Sequence, residues 1–288
     1  MLFRRLKQKP LKMIWEVQKN GRTSHLIGTA HFFPYSFTDS LQRCLENARV
    51  VMFEGPLDED NMARVRQAGT DPDNSYHIFD ELDNKTIAGL TDALVPVCRA
   101  RHSSYLVTFS KFEVKDIVYE MVQGMQPWLA FFTLWSEYLR RIGWKYSVDL
   151  EGYQIAMQLG KKIVFLETIE EQTRVLQNIS HDNILFFLSQ VDRWKDFARE
   201  YIECYLDGDL EKLKFTRVRF PSRHYSVINE RDKIFYERMS SELEQGQVVA
   251  FVGAPHLKGM NRLLIEDGYQ VKGPWLPQSS QGSDDGRQ

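Results

Sequence analysis

The sequence predicts an α/β protein, a central mixed β-sheet flanked by helices, on three observations. Four short apolar runs each end on a side chain that can bind a metal or move a proton. They are His25-Leu-Ile-Gly28-Thr-Ala-His31, Val50-Val-Met-Phe53 before Glu54, Ile163-Val-Phe-Leu166 before Glu167, and Val249-Ala-Phe-Val-Gly253-Ala-Pro-His256. Asn20-Gly21 lies between two alternating apolar runs, the strongest short-range signal for a hairpin. From Ser147 through Gly160 to Leu166 the order is helix, glycine stop and buried strand, the parts of a parallel crossover. Loops at the carboxyl ends of such strands are where α/β sheets place their chemistry.

Taken in order, the hairpin joins a strand from Met13 to a second strand that begins near Ser24 and delivers His31. Asp39 is placed as the N-cap of an amphipathic helix through Leu41, Leu45 and Ala48, which leads into the strand at 50–53. Between Asp58 and Asp83 the period fades, and Asp71-Pro72-Asp73-Asn74 is a break, so a helix, a loop and the cap of the next helix are expected. Residues 84–146 read as helical almost throughout, interrupted at Pro127 and Gly143. They are expected to form a helical insertion lying over the sheet and covering the strand exits, with the aromatic stripe of Phe109, Phe112, Trp128, Phe131 and Trp135 serving as core. Asp149 is read as the N-cap of the next helix rather than as a catalytic group. Helices follow over 170–179, 182–206 and 210–215, and an amphipathic helix over 229–244 feeds the strand at 248–252. A helix at 260–267 and a short strand at 269–271 close a single domain spanning 13–276, between a basic extension at 1–12 and a disordered tail at 277–288.

With 288 residues, 43% hydrophobic and 26% charged, the chain can bury a full core. A net charge of −2 and a pI near 6.4 argue against general affinity for nucleic acid, which requires a basic face. Cys44, Cys98 and Cys204 are odd in number and far apart, which suits neither a disulfide framework nor a CxxC site and points to the cytoplasm. The basic start, Arg4 to Lys12, has no apolar stretch behind it and is read as a solvated end, not a secretion signal. The apolar segment from Trp128 to Trp135 stops at Ser136 and Glu137, short of the roughly 20 residues that span a bilayer, so no transmembrane segment is expected. No Gly-rich phosphate loop, HExxH helix or GxSxG elbow is present, which argues against P-loop, zincin and serine-hydrolase chemistry.

A divalent ion used for hydrolysis needs about three protein ligands and an open position for water. His31, His256 and one glutamate would supply the ligands, and the other glutamate the general base. Glu54 is favoured as ligand or base and Glu167 as the carboxylate that orients a ligand histidine, and the sequence does not divide these roles further. One GxxH is short and common, and fits an imidazole bonded to backbone at the edge of a core. Two of them, each after a buried strand, with acids after two other strands, point to a site. Arg231 lies on a helix and would stabilise an oxyanion if it faced the strand exits. His25 sits inside the strand before Gly28, and His77, His102, His181 and His224 lie in helix starts or loops with no partner at ligand spacing.

The paired Gly28-to-His31 and Gly253-to-His256 motifs, the acid after Phe53, the segment from Asp149 through Gly160 to Glu167-Thr-Ile-Glu-Glu-Gln172, and Gly253-Ala-Pro-His-Leu-Lys-Gly259 resemble the TraB, GumN and Tiki family. The resemblance runs from about Met13 to Val271. It implies an α/β fold related to erythromycin esterase and to ChaN-like haem-binding proteins. In the Tiki branch it implies a metal-dependent protease that clips amino-terminal residues from secreted signalling proteins and is supported by manganese or cobalt, with zinc as a further divalent option. Other branches include bacterial pheromone-shutdown proteins. Residue by residue, the resemblance falls on His31, His256, Glu54, Glu167 and Arg231. The family arginine is usually followed by Asn, and here Asp232 follows. The expectation is a metal-dependent, peptidase-like hydrolase acting on a peptide or a small amide or ester. The other two readings are a non-enzymatic peptide- or haem-binding module and a degenerate member serving as an interaction scaffold.

Overall fold

Asn20 and Gly21 both adopt positive φ, 52° and 73°, the left-handed pair that a two-residue hairpin requires, and they join β1 (Ile14–Lys19) to β2 (Arg22–Thr29) in register from Lys19 opposite Arg22 to Ile14 opposite Ile27. The computed structural model describes residues 7–71, 76–95, 117–217, 220–223 and 225–274. Several expectations fall outside those residues: the basic start through Leu6, the break around Asp73, the insertion over 96–116 with Phe109 and Phe112, Cys98, His102, His224, and the tail from Gln278.

Beyond the hairpin, β3 (Val50–Phe53), β4 (Lys162–Phe165), β5 (Val248–Gly253) and β6 (Gln270–Lys272) complete a sheet of order β4-β3-β5-β2-β1-β6 among the described residues. Strand β5 lies parallel between β3 and β2, and β4 lies parallel beside β3, while β1 runs antiparallel to both β2 and β6. The sheet is therefore mixed, with its parallel part at the site end. β3 is wholly buried and β5 nearly so, which is why both read as unbroken apolar runs rather than alternating ones. Phe53 and Phe251 stack across the β3/β5 boundary at 4.7 Å.

Helix α1 (Thr38–Glu46) follows the hairpin, and Asp39 sits in its first turn instead of capping it, with Phe37 at the N-cap position. Helix α2 (Glu59–Ala68) is capped by Asp58, and α3 (Asn84–Leu94) by Asp83, the cap expected at the end of that polar stretch. Helix α4 (Pro127–Arg141) begins on Pro127 at the position where its missing N–H costs nothing. Among the described residues of the expected insertion, α3 and α4 contact each other and α7 (His181–Ser189). The reason lies in the aromatics, since Trp135 meets Phe187 and Trp194 edge to face at 5.3 and 5.2 Å, giving the insertion a helical partner of its own. Among the described residues its end reaches a strand exit, where Phe33 N–H donates to the Tyr146 carbonyl at 2.8 Å and the Phe33 ring meets Trp144 at 5.6 Å.

Helix α5 (Val148–Gln158) packs on α1 and against β3 and β4. Helix α6 (Ile169–Gln177) starts with a capping box between Thr168 and Glu171. Helices α8 (Trp194–Asp207), α9 (Leu210–Arg217) and α10 (Tyr225–Leu243) follow, and α11 (Leu257–Glu266) packs against α10, β2 and β6. Among the described residues no helix is long and apolar enough to cross a membrane.

Candidate functional site

Parallel pairing places four strand exits side by side at one rim. β2 and β5 are in register up to Thr29 opposite Gly253, so His31 and His256 leave neighbouring strands at the same end. Glu54 follows β3 on the other side of β5, and the Glu167 N–H donates to the Glu54 carbonyl at 2.7 Å, which carries the rim onto β4. The order along the rim is Glu167, Glu54, His256, His31. Gly28 is required here by close approach: a Cβ on it would lie 2.5 Å from Leu257 and 3.2 Å from the Ala254 backbone. The Tyr205 hydroxyl, brought by α8, donates to the Gly28 carbonyl at 2.5 Å and pins the end of β2.

Arg231, on α10, enters this rim as its central cation. Its Nη2 donates to Glu167 Oε1 at 2.6 Å and to Glu54 Oε2 at 3.0 Å, and its Nε to Glu167 Oε2 at 3.1 Å. Its Nη1 lies 3.3 Å from His256 Nε2. The guanidinium also sits over the ring of Phe235, one helical turn on, at 4.9 Å. Glu54 Oε1 accepts from the Gly253 N–H at 2.5 Å. Burial works to raise the Glu54 carboxyl, but Arg231, His256, that N–H and His31 outweigh it and hold Glu54 below the usual carboxylate value. For Glu167 burial wins, with help from Glu54, and pushes the carboxyl up to about 7 against the pull of Arg231.

Both histidines are held through Nδ1 by a carboxylate. His256 Nδ1 lies 2.6 Å from Asp232 Oδ1, on α10 one residue after Arg231, and both side chains are buried. Gly259 makes room for that carboxylate, since a Cβ there would fall 1.7 Å from Asp232 Oδ2. His31 Nδ1 lies 2.5 Å from Asp149 Oδ2, and Asp149 Oδ1 accepts from the Ser147 hydroxyl at 2.5 Å. The His31 side chain is 67% exposed and Asp149 only 7%, so the imidazole stands at the mouth on a buried support. The charge of Asp149 lifts His31 to about 9 against partial desolvation, with Glu54 adding and Arg231 opposing. Desolvation alone would favour the neutral form of Asp149, but His31 and Ser147 hold it below its usual value.

The structure brings together all five residues marked in the sequence: His31, His256, Glu54, Glu167 and Arg231. Asp149 is a correction. It does not cap its helix; Ser147 does, accepting from Leu150 N–H, and Asp149 is thereby free to face His31. Asp232, the departure from the family pattern, is the residue that orients His256. Neither partnership had a linear signal, beyond the general need of a working imidazole for a carboxylate at its far nitrogen. Of the remaining described histidines, His25 sits within β2 opposite Glu16, His77 stacks on Tyr119 at 3.6 Å and accepts from Phe79 N–H, and His181 lies 3.0 Å from Glu81.

Arg231 decides whether this donor set fits a divalent ion. The imidazoles, each oriented through Nδ1, have the form of metal ligands. The carboxylates do not, because Arg231 already pairs with both and faces His256 Nε2 as well. Among the described residues no group of three or more His, Cys, Asp or Glu stands where it could hold a metal. As arranged, the residues do not fit the expected His31, His256 and Glu54 ligand set. No curated protein matches the chain. A model of the TraB/PrgY/gumN family matches residues 13–273, nearly its full length, and the chain belongs to that family.

Proposed function

We propose that the chain hydrolyses peptide, small amide or ester bonds at this rim, with His31 as the group that moves the proton. The observation that carries this is the His31–Asp149 pair, an exposed imidazole whose Nδ1 is engaged by a buried carboxylate, leaving Nε2 for proton transfer. In its neutral form, the minority below pH about 9, Nε2 of His31 takes a proton from water as the water oxygen attacks the carbonyl carbon, so turnover rises with pH toward that value. The tetrahedral intermediate collapses, the scissile bond breaks, and the imidazolium returns the proton to the leaving amine or alcohol. Asp149 supports the imidazolium between the two transfers. Arg231, fixed on Glu54 and Glu167, supplies a preorganised positive field for the developing oxyanion.

The manganese or cobalt implied by the family resemblance has no part in these steps. A cytoplasmic setting belongs to the same proposal, and the free, buried Cys44 and Cys204 support it. Turnover of a peptide and ester library is the test. His31→Ala is expected to lower kcat/KM by about 10²- to 10⁴-fold, the usual worth of a positioned acid–base group. Equal turnover by that variant and the unaltered chain would sink the assignment.

A further inference from the structure

We infer that the groove between α2 and α6, which opens beside Glu167 at the end of the rim, binds an extended peptide, and that Arg174 with Thr173 receives a carboxylate on it. Two cavities of about 460 Å³ each lie along the groove and share Arg64, Ile169 and Glu170. One reaches Phe165 and Glu167, the other Arg174 and Gln177. From Ile169 to Gln177 helix α6 rises about 12 Å, the length of about four extended residues. The floor is apolar at the buried Ile169, and Gln67 and Gln177 stand exposed on opposite walls, amides that pair with the N–H and C=O of an extended chain. A small amide or ester would leave most of this length empty.

Charge along the groove is matched at every arginine but one. Arg64 pairs with Glu170, joining the two walls, and Arg238 pairs with Glu171 at 2.6 and 2.7 Å. Among the described residues the Arg174 side chain makes no hydrogen bond or ion pair, and its charge reaches Glu171 only through space. Beside it Thr173 also lines the groove and is 8% exposed, and among the described residues its hydroxyl has no hydrogen-bond partner. A buried hydroxyl left in that state is uncommon in a folded chain. Threonine in a helix has two χ1 rotamers, which exchange hydroxyl and methyl on the same wall. A carboxylate accepts from a guanidinium and a hydroxyl together, and so satisfies both groups at once.

That the bound peptide is the substrate rests on the hydrolase reading; that it binds here does not, and binding is read without turnover. Gly-Ser peptides long enough to fill the groove, carrying a neutral dye, Asp or Asn at the centre and a free or amidated C-terminus, would be titrated by fluorescence anisotropy into full-length His31→Ala. A peptide with a carboxylate is expected to bind about tenfold more tightly than the amidated Asn peptide. A gain that follows Asp assigns the carboxylate to an acidic side chain, and one that follows the free C-terminus assigns it to the end of the chain. Adding Arg174→Gln is expected to abolish the gain, Arg174→Lys to keep part of it, and Thr173→Val to reduce it about threefold. Arg174 is exposed on its helix, so the Gln variant keeps the fold, which circular dichroism checks. Equal binding of acidic and amide peptides, no saturable binding of any of them, or a gain that survives Arg174→Gln would overturn the inference. A chain that binds in this way and cuts nothing would sink the hydrolase reading alone.

Discussion

His31 and His256 carry the same side chain on adjacent strands and are held at the same nitrogen, yet one is 67% exposed and the other 3%. On the proposed reading that difference separates their roles: His31 meets the substrate, whereas His256 lies 3.3 Å from Arg231. Because Asp149 is the main cause of the raised His31 value, Asp149→Asn should lower it from about 9 toward the ordinary value near 6.5. Ring-proton titration by NMR reads this directly, and an unshifted His31 would remove Asp149 from the account. The site was legible in the sequence as far as the side chains that end strands, because a buried apolar run followed by His or Glu announces itself. Asp149 and Asp232 were not legible as partners. They meet their histidines across 118 and 24 positions, a pairing that only the folded chain makes. Asp149 also stood where an N-cap was expected, and Ser147, two residues earlier, took that position.

Elements were easier to read than their neighbours. Asn20-Gly21 fixes the hairpin through backbone geometry alone, and Asp83 marks a helix start through a local hydrogen bond. What α3 and α4 rest on was not readable, since an aromatic stripe suits a helical partner as well as a sheet. The joint between α8 and β2 is a further case. Tyr205 crosses 177 positions to hold the Gly28 carbonyl, and burial raises its hydroxyl well above the usual tyrosine value, so it remains a donor throughout the working range. Tyr205→Phe should cost about 1–2 kcal/mol, the loss of one buried hydrogen bond, and should speed amide exchange at the end of β2. Urea unfolding and exchange spectra measure both, and an unchanged midpoint would mean the bond contributes nothing.

For the molecule as a whole, the two raised groups give stability the same dependence on pH. His31 rises from 6.5 to about 9 on folding, so its contribution is full below pH 6.5 and lost as pH rises through about 9. Glu167 rises from 4.5 to about 7, so its contribution is full below pH 4.5 and lost as pH rises through about 7. The melting temperature should therefore fall between pH 6.5 and 9, and fall less in His31→Gln, with the exposure of His31 keeping its share small. A melting temperature that rises over that interval would contradict the His31 assignment. The sheet order has a consequence for the chain during its synthesis. The strand at the centre of the parallel part, β5, comes from residues 248–253, whereas both its neighbours come from the first 53. A ribosome delivers β2 and β3 early and the strand between them almost last, so the nascent chain carries an open slot through most of its translation. His256 and Glu54 cannot meet until that slot is filled, and a chain released early has neither a finished sheet nor a working rim.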